Sequence, residues 1–450
     1  MSSDPLLHIK DSYYFDVPRK FWRAGYESPQ QLADQVGGWV IRNDADYQDW
    51  EADRFLAELS EIVGDDDALS HAKEAWHHWQ HADKRRHGRP FDQYVEDSVK
   101  ELQVQAAAWA KKEGGEADGE ARDPALAYLA AKPDAQLQWM HSLKLNDRSQ
   151  KKWENVRRDM NSESVLTEYL ESPRAEWSET KLQEYNFHLS GKVFIPQPFG
   201  ELKNAYEVDK GFGISRYMVI EVVVAILILL TFRWLAGKIQ DGSAPRGRLW
   251  NLLESFLTFI KTDVVEKGID PHDSPKFMPL FWTIFMFILG CNLMGMLPWV
   301  GSPTASWGLT AVLALAIFAV STYEGIKAFG IVGFLKNLCP DLGLPIYLGI
   351  VIVPMVWLIE FASLFIKHTI LSVRLLLNMA AGHLVLLGIM GLAFGAHAAA
   401  MHPGSWTALS VVALLGTTIL SFLELFVAFL QAYVFTLLAA LFVGSASHHH

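Results

Sequence analysis

A handful of polar side chains in the C-terminal quarter of the chain stand where apolar ones would be expected. The stretch Leu371 to Gly388, LSVRLLLNMAAGHLVLLG, holds Arg374, Asn378 and His383 among residues that are otherwise apolar or small. A guanidinium inside a membrane is costly, so Arg374 needs either a structural partner or a task. Glu360 and Lys367 precede it at seven-residue steps. At 100° per residue each step drifts only about 20°, so the three share a helix face. Asn378, Ala381, Gly382 and Gly388 continue that face, and the last three are small enough to let another helix come close. His383, nine residues past Arg374, points to roughly the opposite side and lies about 13.5 Å further along. In the final apolar tract Thr417, Ser421, Glu424, Ala428 and Gln431 fall on one face. Each tract is a lipid-style helix with a single polar seam. Ionisable groups in series at different depths are the expected lining of an ion path. The competing reading, a buried Arg374–Glu424 ion pair that merely fixes packing, needs no such series.

The elements that must position these groups follow from composition. Residues 1–210 carry 39 acidic and 27 basic residues, whereas residues 211–450 carry 11 and 12, so the net charge of −11 belongs entirely to the first half. Long apolar runs fill the second half: a soluble acidic region is joined to a membrane domain. An acidic balance argues against nucleic-acid binding. Two cysteines, Cys291 and Cys339, imply no disulfide framework. The first residues, MSSDPLLHIKDSYYF, have neither the basic and apolar regions of a signal peptide nor an Arg-rich transit segment.

Residues 1–205 are expected to form a mostly α, acidic soluble extension, 206–444 the membrane domain, and 445–450 a tag or tail. In the extension, WEADRFLAELSEIVG has amphipathic helical spacing, and KKEGGEADGEARDP (111–124) is a charged linker. Nine tryptophans are spread over it, a composition suited to anchoring against another subunit. His77 and His81 stand at i and i+4 with His71, His78 and His87 nearby; a polar helix face outweighs a metal site there.

The membrane half begins with one span, RYMVIEVVVAILILLTFRWLAG (216–237). LWNLLESFLTFIKTDVVEKG is too polar to span and should lie at the interface as an amphipathic helix. Residues 277–299 and 307–330 form a hairpin of spans. The tracts 343–395 and 405–443 are far longer than a hydrocarbon core of about 30 Å requires, so they must tilt, bend or break, and steep tilt is favoured. Arg233, Lys238, Arg246, Arg248, Lys327 and Lys336 mark the inner connections, whereas VGSPTAS and GAHAAAMHPGSW lack Lys and Arg. The charge-free loops then face outward and the C-terminus inward, which puts the extension outside.

SVRLLLNMAAGHLVL resembles the signature of subunit a of the F-type ATP synthase. FWTIFMFILGCNLMGMLPW is similar to that family's Asn-Leu-x-Gly-x-x-Pro span. LWNLLESFLTFI, EGIKAFG and FLELFVAFLQAYVFTLL follow the family in the same order, and the similarity covers about 216–443. It departs at Lys367-His368, where a basic residue followed by proline is common, so a kink is removed, and at His383, where some members carry Glu. The resemblance implies an all-α polytopic fold and a non-catalytic stator subunit with two proton half-channels against a rotating c-ring. Arg374 would be barrier and electrostatic partner; Asn378 and Gln431 would orient or hydrate that site. His383 and Glu424 would line the outer half-channel and Glu360 the inner exit. The implied partners are the c-ring, peripheral-stalk b-type subunits and the lipid bilayer, with no cofactor. A bacterial inner membrane is the expected location, with the mitochondrial inner membrane as the alternative. The rival functions are a secondary ion transporter and a purely structural membrane anchor; the absence of internal repeats and of Gly/Pro-broken spans disfavours the transporter.

Overall fold

A computed structural model of the chain describes residues 11–83, 86, 88–112, 123–172, 177–240, 247–270, 272–297, 300–337, 346–394 and 402–447. Most of the charged linker, His87, Arg246, Cys339, residues 395–401 of the second charge-free loop and the last three residues of the tail lie outside the described residues. The chain forms two compact units. One is Pro18–Lys192 with Gln197–Phe212; the other is Gly213–His450 with Met1–Val17 and Val193–Pro196, in their described residues.

The first unit is built on helices α1 (Pro29–Val36), α2 (Trp39–Arg42), α3 (Ala45–Val63), α4 (Asp66–Ser70), α5 (Ala72–Ala82), α6 (Phe91–Lys112), α7 (Pro124–Ala131), α8 (Ala135–Ser142), α9 (Asp147–Met160), α10 (Glu163–Glu171) and α11 (Glu179–Leu189). Their starts are chemically marked. The side chains of Ser28, Asp44, Asp123, Asp134, Asn146 and Ser178 each accept a hydrogen bond from a first-turn N–H, satisfying donors that have no partner inside the helix. The stretch WEADRFLAELSEIVG falls in α3, which buries Tyr47, Trp50, Phe55 and Leu59 and ends at Gly64 in the left-handed region.

The aromatic density has a different use from the one expected. Trp50, Trp76, Trp79, Trp139 and Trp153 are buried in the unit's own core with Phe55, Phe91 and Tyr169. A unit of this size needs large side chains to build a core from many short helices, and five of the nine tryptophans serve that need. Among the described residues of this unit, Phe21, Trp22, Phe187, Phe199 and Phe212 are the exposed apolar rings. His77 lies 3.2 Å from Asp49, and among the described residues no three metal-ligating groups gather.

Among the described residues four short strands accompany the helices. β1 (Tyr14–Asp16) pairs with β2 (Lys192–Phe194), and β3 (Gly200–Asn204) with β4 (Glu207–Gly211) as an antiparallel hairpin. At three to five residues they are too short to show a period of two against a helical background.

The membrane unit opens with α12 (Arg216–Gln240). The residues before it tie down its start: Asp11 accepts from the Tyr217 N–H at 3.2 Å, and Arg216 lies 3.5 Å from Asp16. The amphipathic stretch is α13 (Arg248–Phe259), a π-helical turn at Ile260–Val265 and α14 (Glu266–Gly268). The wider turn brings Ile260, Val264 and Val265 together into the core. Next come α15 (Ser274–Gly295), a 3₁₀ turn at Pro303–Ala305 and α16 (Trp307–Asn337), whose helical geometry is interrupted at Gly330. α17 (Ile346–Phe394) and α18 (Pro403–Ser447) run 49 and 45 residues. α17 passes through Lys367-His368 as helix, as expected for a chain without proline there. Among the described residues five helices are long and apolar enough to cross a membrane, so the protein is a multi-pass, all-α membrane protein with almost no sheet.

Candidate ion-translocation site

α17 and α18 pack antiparallel through a stripe of small residues. Leu375, Met379, Ala428, Ala432 and Phe435 are all fully buried, and Leu375, Ala432 and Phe435 belong to one core cluster. The two helices come close because Gly382 has no side chain: a Cβ there would stand 2.9 Å from the Glu424 Oε1. A second close approach holds α14 to the far end of α18. The backbone oxygen of Gly268 would lie 1.8 Å from a Cβ on Gly444, so only glycine fits.

Two polar contacts cross the stripe. Asn378 donates through Nδ2 to Gln431 Oε1 at 2.7 Å. His383 Nδ1 lies 3.6 Å from Glu424 Oε1. From the first contact to the second the number rises by five on α17 and falls by seven on α18, the signature of antiparallel packing. The residues that sequence spacing put on opposite sides of α17 flank one contact line: Met379 and Gly382 occupy its centre, and Asn378 and His383 stand on either side of it. The α18 stripe Glu424, Ala428 and Gln431 reaches both.

These contacts leave hydrogen-bonding capacity over. Gln431 Nε2, Glu424 Oε1 and His383 Nε2 are buried without a hydrogen-bond partner among the described residues. Buried polar atoms are almost always satisfied, by protein or by water, so such a cluster marks a place where water or a moving proton belongs.

Arg374 is half-buried, one turn before Asn378. It has no ion pair or hydrogen bond within the described residues. The Arg374–Glu424 pair weighed from sequence does not form: Glu424 is level with His383, nine residues or about 13.5 Å along the axis from Arg374. The apolar neighbours Ile370 and Leu377 are at least half exposed, so the guanidinium stands on an uncovered stripe of α17. About four turns before it, Glu360 Oε2 lies 4.0 Å from Lys367 Nζ, beside a cavity shared by α16, α17 and α18.

Sequence reasoning gave no role to Asn292, although the motif containing it was recognised. It is fully buried, donates to the Ala428 carbonyl at 3.1 Å and accepts from Thr304 Oγ1 at 2.7 Å. It thereby fastens the hairpin to α18 midway between Glu424 and Gln431. An asparagine alone in an apolar span was the available signal.

A multi-pass helical protein whose two longest helices meet along a seam of unsatisfied ionisable groups belongs to the class of ion-conducting membrane subunits. Comparison with known proteins narrows that class. The family model described as ATP synthase A chain matches residues 218–444. The ATP synthase subunit a of Chloroherpeton thalassium is 37% identical over 274 residues, which cover 60% of this chain and 78% of that protein. Its counterpart in Chlorobium phaeobacteroides is 35% identical over 266 residues, covering 58% and 73%. The ATP synthase subunit a of Myxococcus xanthus is 35% identical over 241 residues, covering 53% and 75%. The chain belongs to the ATP synthase A chain family. Its role is that of the stator subunit in the proton-translocating membrane sector, coupling proton movement to ATP synthesis.

Proposed function

We propose that Arg374 is the barrier and electrostatic partner at the centre of two offset proton half-channels. The observation that carries this reading is a guanidinium with no partner among the described residues, on an uncovered stripe next to the bonded Asn378–Gln431 pair. A ring of helical hairpins, each with a membrane-buried carboxyl group, fits that stripe. A neutral carboxylic acid can face lipid; its anion cannot do so cheaply. An arriving carboxylic acid loses its proton beside the guanidinium, which stays charged at any working pH and repels protons that would cross directly.

His383 and Glu424 line the outer half-channel, where a histidine suits proton relay near neutrality. Asn378 and Gln431 orient or hydrate the Arg374 site. Glu360, about 21 Å before Arg374 along α17, lines the inner exit. The driving energy is roughly 2.3 kcal/mol per charge per 100 mV, so several protons pass for each ATP. Within the assembled enzyme the further partners are peripheral-stalk b-type subunits, and the location is the bacterial inner membrane. We assign residues 1–205 to a docking extension and 206–444 to the membrane domain. The exposed rings Phe21, Trp22, Phe187 and Phe199 are its candidate contacts with another subunit.

The test is proton flux in liposomes carrying the whole membrane sector, driven by a potassium diffusion potential. Flux that depends on this subunit and is indifferent to sodium is expected. Sector-independent flux would favour the structural anchor, and flux stoichiometric with a co-transported solute would favour the secondary transporter.

A further inference from the structure

The position at which the family resemblance is broken carries a histidine with unusual surroundings. His368 is 7% exposed, and its Nδ1 lies 2.8 Å from the Leu364 carbonyl one turn earlier. A carbonyl only accepts, so Nδ1 carries the hydrogen and the neutral ring leaves Nε2 as a bare acceptor. That Nε2 is buried and has no hydrogen-bond partner among the described residues. The ring is held in place by Phe318, edge-on at 5.2 Å, and by Phe442 at 4.9 Å.

The ring lines the cavity between α16, α17 and α18, which has a volume of about 130 Å³. That is room for several water molecules. Thr322, on the α16 wall, has a buried hydroxyl that is likewise without a partner among the described residues. The remaining polar lining consists of Ser321, Ser445, Glu360 and Lys367. The ionisable groups around the cavity come from α17, as Glu360 and Lys367; Glu324 of α16 lies 3.5 Å from its own partner Lys327, and α18 contributes only hydroxyl, aromatic and small residues. Along α17, His368 stands about 9 Å from Arg374 and about 12 Å from Glu360. It divides into two short steps a distance too long for one proton transfer.

We propose that His368 is a proton relay of the inner half-channel, working between the Arg374 site and Glu360; this rests on the half-channel reading above. A proton released at the Arg374 site passes to Nε2, which stands at the wall of the cavity. The ring becomes an imidazolium while Nδ1–H stays bonded to the Leu364 carbonyl. The Nε2 proton then leaves through water to the Glu360 carboxylate and the inner solution, and the ring returns to its starting tautomer. One proton enters and one leaves, and no other bond changes.

The intact enzyme in liposomes tests this. His368→Gln is expected to lower proton flux several-fold at neutral inner pH and to remove the imidazole-type inflection from the inner-side pH profile, leaving the outer-side profile unchanged. Added imidazole is expected to restore part of the flux to His368→Ala. Wild-type flux and inner-side profile in both variants would overturn the relay, and so would equal changes on both sides, which mean a packing role. If neither variant assembles, Thr322→Val on the opposite wall carries the test: it must slow inner-side transfer, and unchanged transfer would refute the relay. An Arg374→Ala control that conducts normally would instead overturn the half-channel reading itself.

Discussion

The N-terminal helical unit, called the extension below, and the membrane unit treat buried charge in opposite ways. In the extension most of the buried charges are matched, Glu51 being the exception. Arg157 donates to Asp92 at 3.0 and 2.8 Å, and Glu96 accepts from Lys144 at 2.6 Å and from the Trp153 indole at 2.9 Å. Lys181 lies 2.7 Å from Asp44, which also accepts from Tyr185. In the membrane unit Arg374 is partnerless among the described residues, and the His383–Glu424 contact leaves an atom of each residue unbonded. Desolvating an unsatisfied polar group in hydrocarbon is more expensive than in a soluble core. Unmatched groups there are therefore the mark of a task, and matched groups in the extension are the mark of a scaffold.

If that contrast is right, removing a charge should damage stability in one unit and transport in the other. Arg157→Ala leaves Asp92 without its cation, while Glu96 keeps Lys144, and should destabilise the extension by about 2 kcal/mol, less than a fully buried pair would lose because the pair is partly exposed. The expected readout is faster amide exchange over α6 and α9 with proton flux unchanged in the assembled enzyme. Unchanged exchange would mean that the matched network does not hold the unit together.

His383 and Glu424 sharpen the comparison from the membrane side. An apolar replacement of either should slow outer-side proton flux by roughly a hundredfold, the lower end of the scale for one lost proton-transfer partner. Replacing both should cost less than the product of the single effects, because the two act in one path. Fully multiplicative losses would place them on separate routes.

A further effect separates the two units by pH. Burial pushes the Glu51 carboxyl up to about 8, with the Asp92 charge adding to the rise and Arg42 and the Tyr47 hydroxyl opposing it. The folded state therefore holds this proton more tightly than the unfolded chain, whose ordinary value is near 4.5. The stabilisation is complete below that value and is lost as pH rises through about 8, by at most about 1.4 kcal/mol per pH unit. Melting of the extension, followed by its tryptophan fluorescence, should fall between pH 6 and pH 8, and Glu51→Gln should flatten the slope. An equal slope in the variant would assign the dependence to another group.

The site was more legible than the scaffold. Glu360, Arg374, Asn378, His383, Glu424 and Gln431 stood out because a polar residue in an apolar tract is conspicuous and helical spacing fixes its face. What spacing could not give was the pairing across helices. That depends on Gly382 letting Glu424 approach, a property of two backbones at once. The tryptophans of the extension show the converse: composition counts apolar rings but does not say whether they face inward, as five do, or toward a partner. His368 was visible as a departure at a position where proline is common, but its tautomer and its cavity are set by α16 and α18, far away in sequence.

The most direct test is ATP-driven proton pumping by the complete enzyme carrying Arg374→Lys, with Arg374→Ala beside it and assembly checked by subunit yield. A buried lysine can give up its proton where a guanidinium cannot. Both variants should assemble at near-normal yield, and both should fail to pump, the lysine variant by at least two orders of magnitude. Near-normal pumping by Arg374→Lys would contradict the barrier role assigned to the unpartnered guanidinium.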